Sequence, residues 1–77
     1  MTLVRYFAAA AEAAGVESEE RHEPTLKELR RAATADRPEL WLVLPQCAVL
    51  VDGVRADGDR PLAGAKVIDV LPPFAGG

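Results

Sequence analysis

The sequence is poor in the residues that build disulfide frameworks, metal centres and side-chain active sites. Its 77 residues include one cysteine, one histidine and one tryptophan. One cysteine cannot form an internal disulfide, so the chain is not expected to be a secreted domain held by disulfides. His22 has no nearby cysteine or paired carboxylate with the spacing of a zinc site or a catalytic triad, and is expected on the surface. Catalysis by side chains is therefore not expected.

Excess positive charge and long apolar runs are also missing. Nine basic residues against twelve acidic ones give a net charge of −3, which argues against nucleic acid as a partner because phosphate binding needs a basic face. No apolar run is long enough to span a bilayer. The run over residues 6–11 is too short for a signal peptide. We therefore expect a cytoplasmic protein that does not contact membranes.

Binding sites for phosphate and metal ions are not evident either. There is no glycine-rich loop followed by Lys-Ser or Lys-Thr, so ATP must be bound by a partner if it is used. Asp52, Asp57 and Asp59 are not followed by a bidentate acid at the distance of a calcium loop.

Cys47 is predicted to lie in the core. Trp41 is predicted to pack behind the main helix, with partial exposure at an interface as the alternative.

The sequence is predicted to form a series of short strands and helices in one domain with a small hydrophobic core. Residues 2–7 are predicted to form a strand, residues 8–14 a short helix ended by Gly15, and residues 16–23 an edge strand. The main helix is predicted to begin at Thr25, because Thr25 and Glu28 have the spacing of a capping box. It should extend over residues 26–33. Residues 40–44 are compatible with a short helix or a strand.

The second half is predicted to be mostly β structure. Residues 47–51 should form a buried strand, and Asp52-Gly53 should turn the chain into a return strand through Arg55. The last strand is predicted over residues 66–71, because Pro72-Pro73 cannot donate hydrogen bonds to a ladder.

This order of elements predicts an α+β domain over residues 1–71 with a mixed sheet of four or five strands and one main helix. The β-grasp, or ubiquitin-like, fold is the simplest closed arrangement of these elements. The first and last strands are the most apolar and should lie adjacent and parallel at the sheet centre. If the helix covers Val4, Tyr6, Ile68 and Val70, strand alternation leaves three apolar residues on an open, partner-binding face: Phe7, Val67 and Leu71.

The strongest functional signal lies in residues 72–77, Pro-Pro-Phe-Ala-Gly-Gly, which are predicted to form a flexible tail. A terminal Gly-Gly alone occurs by chance in about one chain in two hundred. Here the prolines favour an extended segment, and glycine without a Cβ can thread a narrow channel and leave its carboxylate open to attack. An activating enzyme could convert such a carboxylate into an acyl adenylate and then a thiocarboxylate, which the globule would present to an acceptor.

Nearly the whole chain resembles the small subunit of molybdopterin synthase, within the ubiquitin-like sulfur carriers. The matching features are residues 2–8, Gly15, Pro24-Thr25-Leu26, Val51-Asp52-Gly53, Pro61-Leu62 and residues 72–77. The Pro-Pro ending favours the molybdopterin branch over the thiamine branch.

The resemblance implies that Gly77, with Gly76 before it, is adenylated and thiocarboxylated by an activating enzyme that supplies ATP and Mg. The sulfur would then pass to a pterin precursor held by the large synthase subunit, and this chain would bind no cofactor or metal. Six residues would form the interface with that subunit: Phe7, Leu71, Pro72, Pro73, Phe74 and Ala75.

Three alternatives to this interpretation stay open. The chain could carry sulfur for thiamine or cysteine synthesis, or it could be a ubiquitin-like modifier joined to lysine through the same tail. It could also be a β-grasp interaction module whose Gly-Gly end has no chemical role.

Overall fold

A computed structural model describes residues 1–73 of the chain. The element order is β1 (Thr2–Tyr6), α1 (Ala9–Ala14), β2 (Ser18–Arg21), α2 (Leu26–Thr34), α3 (Pro38–Val43), a 3-10 turn (Leu44–Gln46), β3 (Ala48–Val51), β4 (Val54–Arg55) and β5 (Val67–Leu71). The predicted α+β class and β-grasp fold are confirmed.

Over the described residues, the sheet has five strands in the order β2-β1-β5-β3-β4. β1 and β5 are parallel neighbours, whereas the other pairs are antiparallel. The predicted adjacent, parallel and inner placement of the first and last strands is therefore confirmed. Each of these strands buries its alternate residues under the helices: Val4, Tyr6, Ile68 and Val70 are at most 3% exposed. Their burial holds the first and last strands together in one core.

The main helix α2 begins where the capping box places it. Thr25 is the N-cap residue, and its Oγ1 accepts a hydrogen bond from the Glu28 amide at 3.2 Å. A second cap comes from a distant loop, since the Asp59 carboxylate accepts from the Lys27 amide at 2.7 Å. Leu26, Leu29 and Ala33 are buried against the sheet. The capping box thus fixes the start of α2, and the helical spacing of its apolar residues fixes the side that faces the core.

The predicted hairpin turn at Asp52-Gly53 is confirmed by positive φ angles of 48° and 82°. Asp52 has an additional role, because its Oδ1 accepts from the amides of Val67 and Lys66 at 2.9 and 3.0 Å. These backbone hydrogen bonds, chiefly that from Val67, lower the pKa of Asp52. The turn between β3 and β4 therefore also fixes the start of β5.

The structure resolves the ambiguity at residues 40–44 in favour of helix, because α3 begins at Pro38 and runs to Val43. Within this helix Leu40 is fully buried. Trp41 follows Leu40 and is 64% exposed, so the prediction that it packs behind the main helix is wrong. The β3 strand begins at Ala48 rather than at Cys47, since the Cys47 amide closes the preceding turn. Cys47 is half-buried, and burial raises the pKa of its thiol.

Candidate functional site

The side of the sheet away from the helices is a half-exposed face, which we call the open face. Phe7, the residue after β1, is 38% exposed there, and Leu71 at the end of β5 is half-buried. The strands place six more residues on this face, all of them partly or fully exposed: Leu3, Arg5, Ala48, Leu50, Val67 and Asp69. Because β-strand residues alternate sides, the burial of Val4 and Ile68 requires their neighbours to lie here.

An ion pair lies at the centre of the open face. Arg5 and Asp69 stand opposite each other in the β1–β5 register. Arg5 donates from Nε to Asp69 Oδ1 at 2.6 Å and from Nη2 to Oδ2 at 2.8 Å, which raises the pKa of Arg5. The Arg5 guanidinium also lies 5.8 Å from the centroid of the Phe7 ring, within cation–π range. This pair joins the two central strands and contacts the most exposed aromatic ring of the face.

The open face continues to the point where the tail begins. The Phe7 amide donates to the Val70 carbonyl at 3.1 Å, so Phe7 lies beside the end of β5. Leu71 is the last residue of β5 and pairs with Ala48, and Pro72 and Pro73 follow it. Four predicted interface residues, Phe7, Leu71, Pro72 and Pro73, therefore lie at the same end of the sheet. The other predicted site residues, Phe74, Ala75, Gly76 and Gly77, lie outside the described residues.

A comparison with known protein families gives a match over nearly the whole chain. The ThiS family matches residues 4–77 of the 77-residue chain. The chain belongs to the ThiS family. It is therefore a ubiquitin-like sulfur carrier, a class of proteins that work with partner enzymes. No curated protein matches the sequence.

Metal-binding clusters and membrane-spanning helices are two features that the described residues of this ThiS family member do not contain. Over residues 1–73, no three His, Cys, Asp or Glu side chains come together in a group that could hold a metal ion. His22 is exposed, as predicted. Within the same residues there is no helix with the length and apolar character needed to cross a bilayer.

A partly buried polar cluster, which the sequence did not reveal, joins the edge strand of this ThiS family chain to its helical layer. Arg37 donates two hydrogen bonds of 2.7 Å to the Glu19 carboxylate, and the Tyr6 hydroxyl donates a third at 2.6 Å. The bonds from Arg37 are the main reason that the pKa of Glu19 is lowered. Burial, with the Glu19 contact, raises the pKa of Tyr6. The three residues stabilise the fold on the side of the sheet that the helices cover.

Proposed function

We propose that this sulfur carrier is the small subunit of molybdopterin synthase, with Gly77 as its sulfur-bearing terminus. The observation that carries the proposal is the Pro-Pro-Phe-Ala-Gly-Gly ending, which directly follows the central strand β5. The membership of the ThiS family supports the carrier role, and the resemblance of the double-proline ending supports the molybdopterin acceptor.

The proposed chemistry acts on the terminal carboxylate. A carboxylate is a poor electrophile, so an activating enzyme first joins it to AMP from ATP, with release of pyrophosphate. A sulfur donor then displaces AMP from the Gly77 carbonyl carbon and leaves a thiocarboxylate. ATP and Mg belong to the activating enzyme in this scheme. Gly76 and Gly77 present no side chain that would block either reaction.

The globular domain has a positioning role in the proposal. Docking of the open face on the large synthase subunit would bring the thiocarboxylate to the pterin precursor as an oriented, effectively intramolecular nucleophile. Phe7 and Leu71 support this role, because they lie exposed or half-exposed where the tail starts. Pro72 and Pro73 restrict the backbone between the docked face and the reacting end.

Intact-mass spectrometry in two stages tests the proposal. The chain is first incubated with ATP, a sulfur source and its activating enzyme, and we expect the mass change that corresponds to replacing one oxygen by sulfur. The thiocarboxylated product is then offered a cyclic pyranopterin on the large synthase subunit, and in parallel the acceptor system of thiamine synthesis. Loss of sulfur to the pterin alone supports the molybdopterin role, and loss to the thiamine system alone contradicts it. Conjugates on lysines of other proteins would indicate a modifier, and an unchanged mass an interaction module.

A further inference from the structure

A second surface with binding features lies on the helical side of the molecule, away from the open face. It consists of two adjoining hollows of about 310 and 500 Å³ that share Arg31, Thr34 and Trp41. The first extends towards Arg30 and Pro45, and the second towards Pro38. Together they form one groove along the last turns of α2, and Trp41 lines both of its parts. We call this surface the Trp41 groove.

Trp41 is exposed because of its position on α3. Leu40 is fully buried in the core, and the next residue of a helix points about 100° away from its predecessor. Trp41 is consequently 64% exposed, although it is the largest apolar side chain of the protein. Exposed tryptophans combine a large contact area with one hydrogen-bond donor, and they are enriched among the residues that dominate protein interfaces.

The charges beside Trp41 are positive and lack carboxylate partners in the described part of the chain. Neither Arg30 nor Arg31 takes part in an ion pair within residues 1–73, and the shielded Nε of Arg30 has no hydrogen-bond acceptor there. Four other arginines each bind a carboxylate: Arg5, Arg21, Arg37 and Arg55. Arg31 is exposed, and planar guanidinium groups suit the carboxylates of a partner.

We propose that the Trp41 groove binds an acidic segment of a partner protein. An apolar side chain of that segment would lie against Trp41, and its carboxylates would bind Arg30 and Arg31. Charge complementarity selects an acidic occupant, and the exposed Trp41 beside the two arginines suits a protein segment that carries an apolar side chain among carboxylates. Because the groove and the open face lie on opposite sides of the sheet, a partner could hold the carrier here while the tail end serves a second protein. The proposal does not depend on which acceptor receives the sulfur.

The test uses the natural reporter in the groove, since Trp41 is the only tryptophan of the chain. A short synthetic peptide of glutamates around one phenylalanine is titrated into the ¹⁵N-labelled full chain. We expect a saturable change in tryptophan fluorescence, with amide shifts confined to the second half of α2, to α3 and to the Leu44–Gln46 turn. A peptide with lysines in place of the glutamates, and one with alanine in place of phenylalanine, should each bind at least about tenfold more weakly.

Matched charge variants distinguish specific binding in the Trp41 groove from general electrostatic attraction to the protein. Arg31→Gln removes an exposed charge from the groove and should weaken binding of the acidic peptide about tenfold, the effect expected for one charge-assisted contact. Arg60→Gln removes the same charge from an exposed residue outside the groove and should change the affinity by about twofold or less. The amide spectrum of each variant reports whether it is folded. Arg31→Gln is preferred to Arg30→Gln as the main test because Arg30 is partly buried.

Four results would overturn the proposal. The first is the absence of saturable binding, and the second is an equal loss of affinity in Arg31→Gln and Arg60→Gln. The third is a set of peptide-induced shifts on the open face. The fourth is evidence of another occupant: Trp41 signals that change without peptide when residues 74–77 are deleted indicate the chain's own tail, and signals that change with protein concentration indicate a second copy.

Discussion

The two faces of the central strands β1 and β5 have opposite surroundings, although consecutive residues of the same strands form them. On the covered face, Val4 and Ile68 are fully buried beneath the helices. On the open face, their sequence neighbours Arg5 and Asp69 form an ion pair beside the 38% exposed Phe7. The period-two alternation of a strand thus separates two tasks over consecutive residues. The covered face should set the stability of the domain, and the open face should set its affinity for partners.

The largest effect on stability is expected at the centre of the covered face. Ile68→Ala leaves a cavity where a fully buried side chain was, so we expect a loss of about 2–5 kcal/mol in the free energy of unfolding. Val67→Ala, one residue earlier on the half-exposed open face, should cost about 1 kcal/mol or less. Denaturant titration measures both. Equal losses would show that the two faces do not divide these tasks.

The next largest effect is expected in the polar cluster of the covered side. Glu19→Gln removes the charge that binds Arg37 and Tyr6, and we expect a cost of about 1–3 kcal/mol at neutral pH. The pKa of Glu19 is lowered in the folded state, so its stabilisation is present above the unfolded-state pKa and is lost as the pH falls through the folded-state pKa. The difference between the wild type and Glu19→Gln should therefore shrink in acid. Chemical denaturation at several pH values measures it.

Glu20→Gln is the matched control for this pH dependence. Glu20 is the next residue of β2 and is exposed, and it makes no ion pair within the described residues. We expect Glu20→Gln to be about as stable as the wild type, because an exposed carboxylate without an ion pair contributes little to stability. A difference for Glu19→Gln that stayed constant into acid would argue against a role for its charge.

The cap of α2 should have a smaller effect. Thr25→Ala removes the hydroxyl that accepts from the Glu28 amide, and we expect a loss of about 1 kcal/mol in the free energy of unfolding. Thr25→Ser keeps the acceptor and should stay within a few tenths of a kcal/mol of the wild type. Thermal unfolding followed by circular dichroism compares the two. An unchanged transition in Thr25→Ala would mean that the cap from Asp59 suffices for this helix.

The smallest effect on stability, with a large effect on binding, is expected at the aromatic residues of the open face and tail. Phe7→Ala and Phe74→Ala should each weaken binding to the large synthase subunit about tenfold or more, because aromatic anchors dominate interfaces. Thermal stability should change little. Val54→Ala is a control, since Val54 is 61% exposed and lies on the edge strand β4. Unfolding of Phe74→Ala would instead assign Phe74 to the core.

The fold could be predicted from the sequence where local signals and alternation agree. The capping box at Thr25 and the Asp52-Gly53 turn are read from a few adjacent residues, and both are confirmed. The parallel pairing of the first and last strands follows from their shared apolar character. Residues 40–44 stayed ambiguous because a five-residue apolar run fits either a helix or a strand.

The contacts between distant residues could not be predicted in the same way. Glu19 and Arg37 bind each other across 18 positions, and Asp59 caps a helix 32 positions earlier. Nothing in the local sequence distinguishes these charges from solvated ones. The prediction for Trp41 is wrong for a related reason. Its side chain is large and apolar, which favours burial, but it follows the buried Leu40 in the same helix and therefore points outward. The role of the tail remains a prediction, because residues 74–77 lie outside the described residues.

The central claim, that Gly77 is the sulfur-bearing terminus, is tested most directly by moving that terminus. Deleting Gly77, or adding one residue after it, displaces the carboxylate by about 3.3–3.6 Å, which exceeds the tolerance for an aligned attack. The measurement is molybdopterin formation in a reconstituted assay, with each terminus confirmed by intact mass. We predict that both variants fold, dock on the large subunit and form no molybdopterin. Sulfur transfer by the Gly77 deletion would contradict the carrier mechanism.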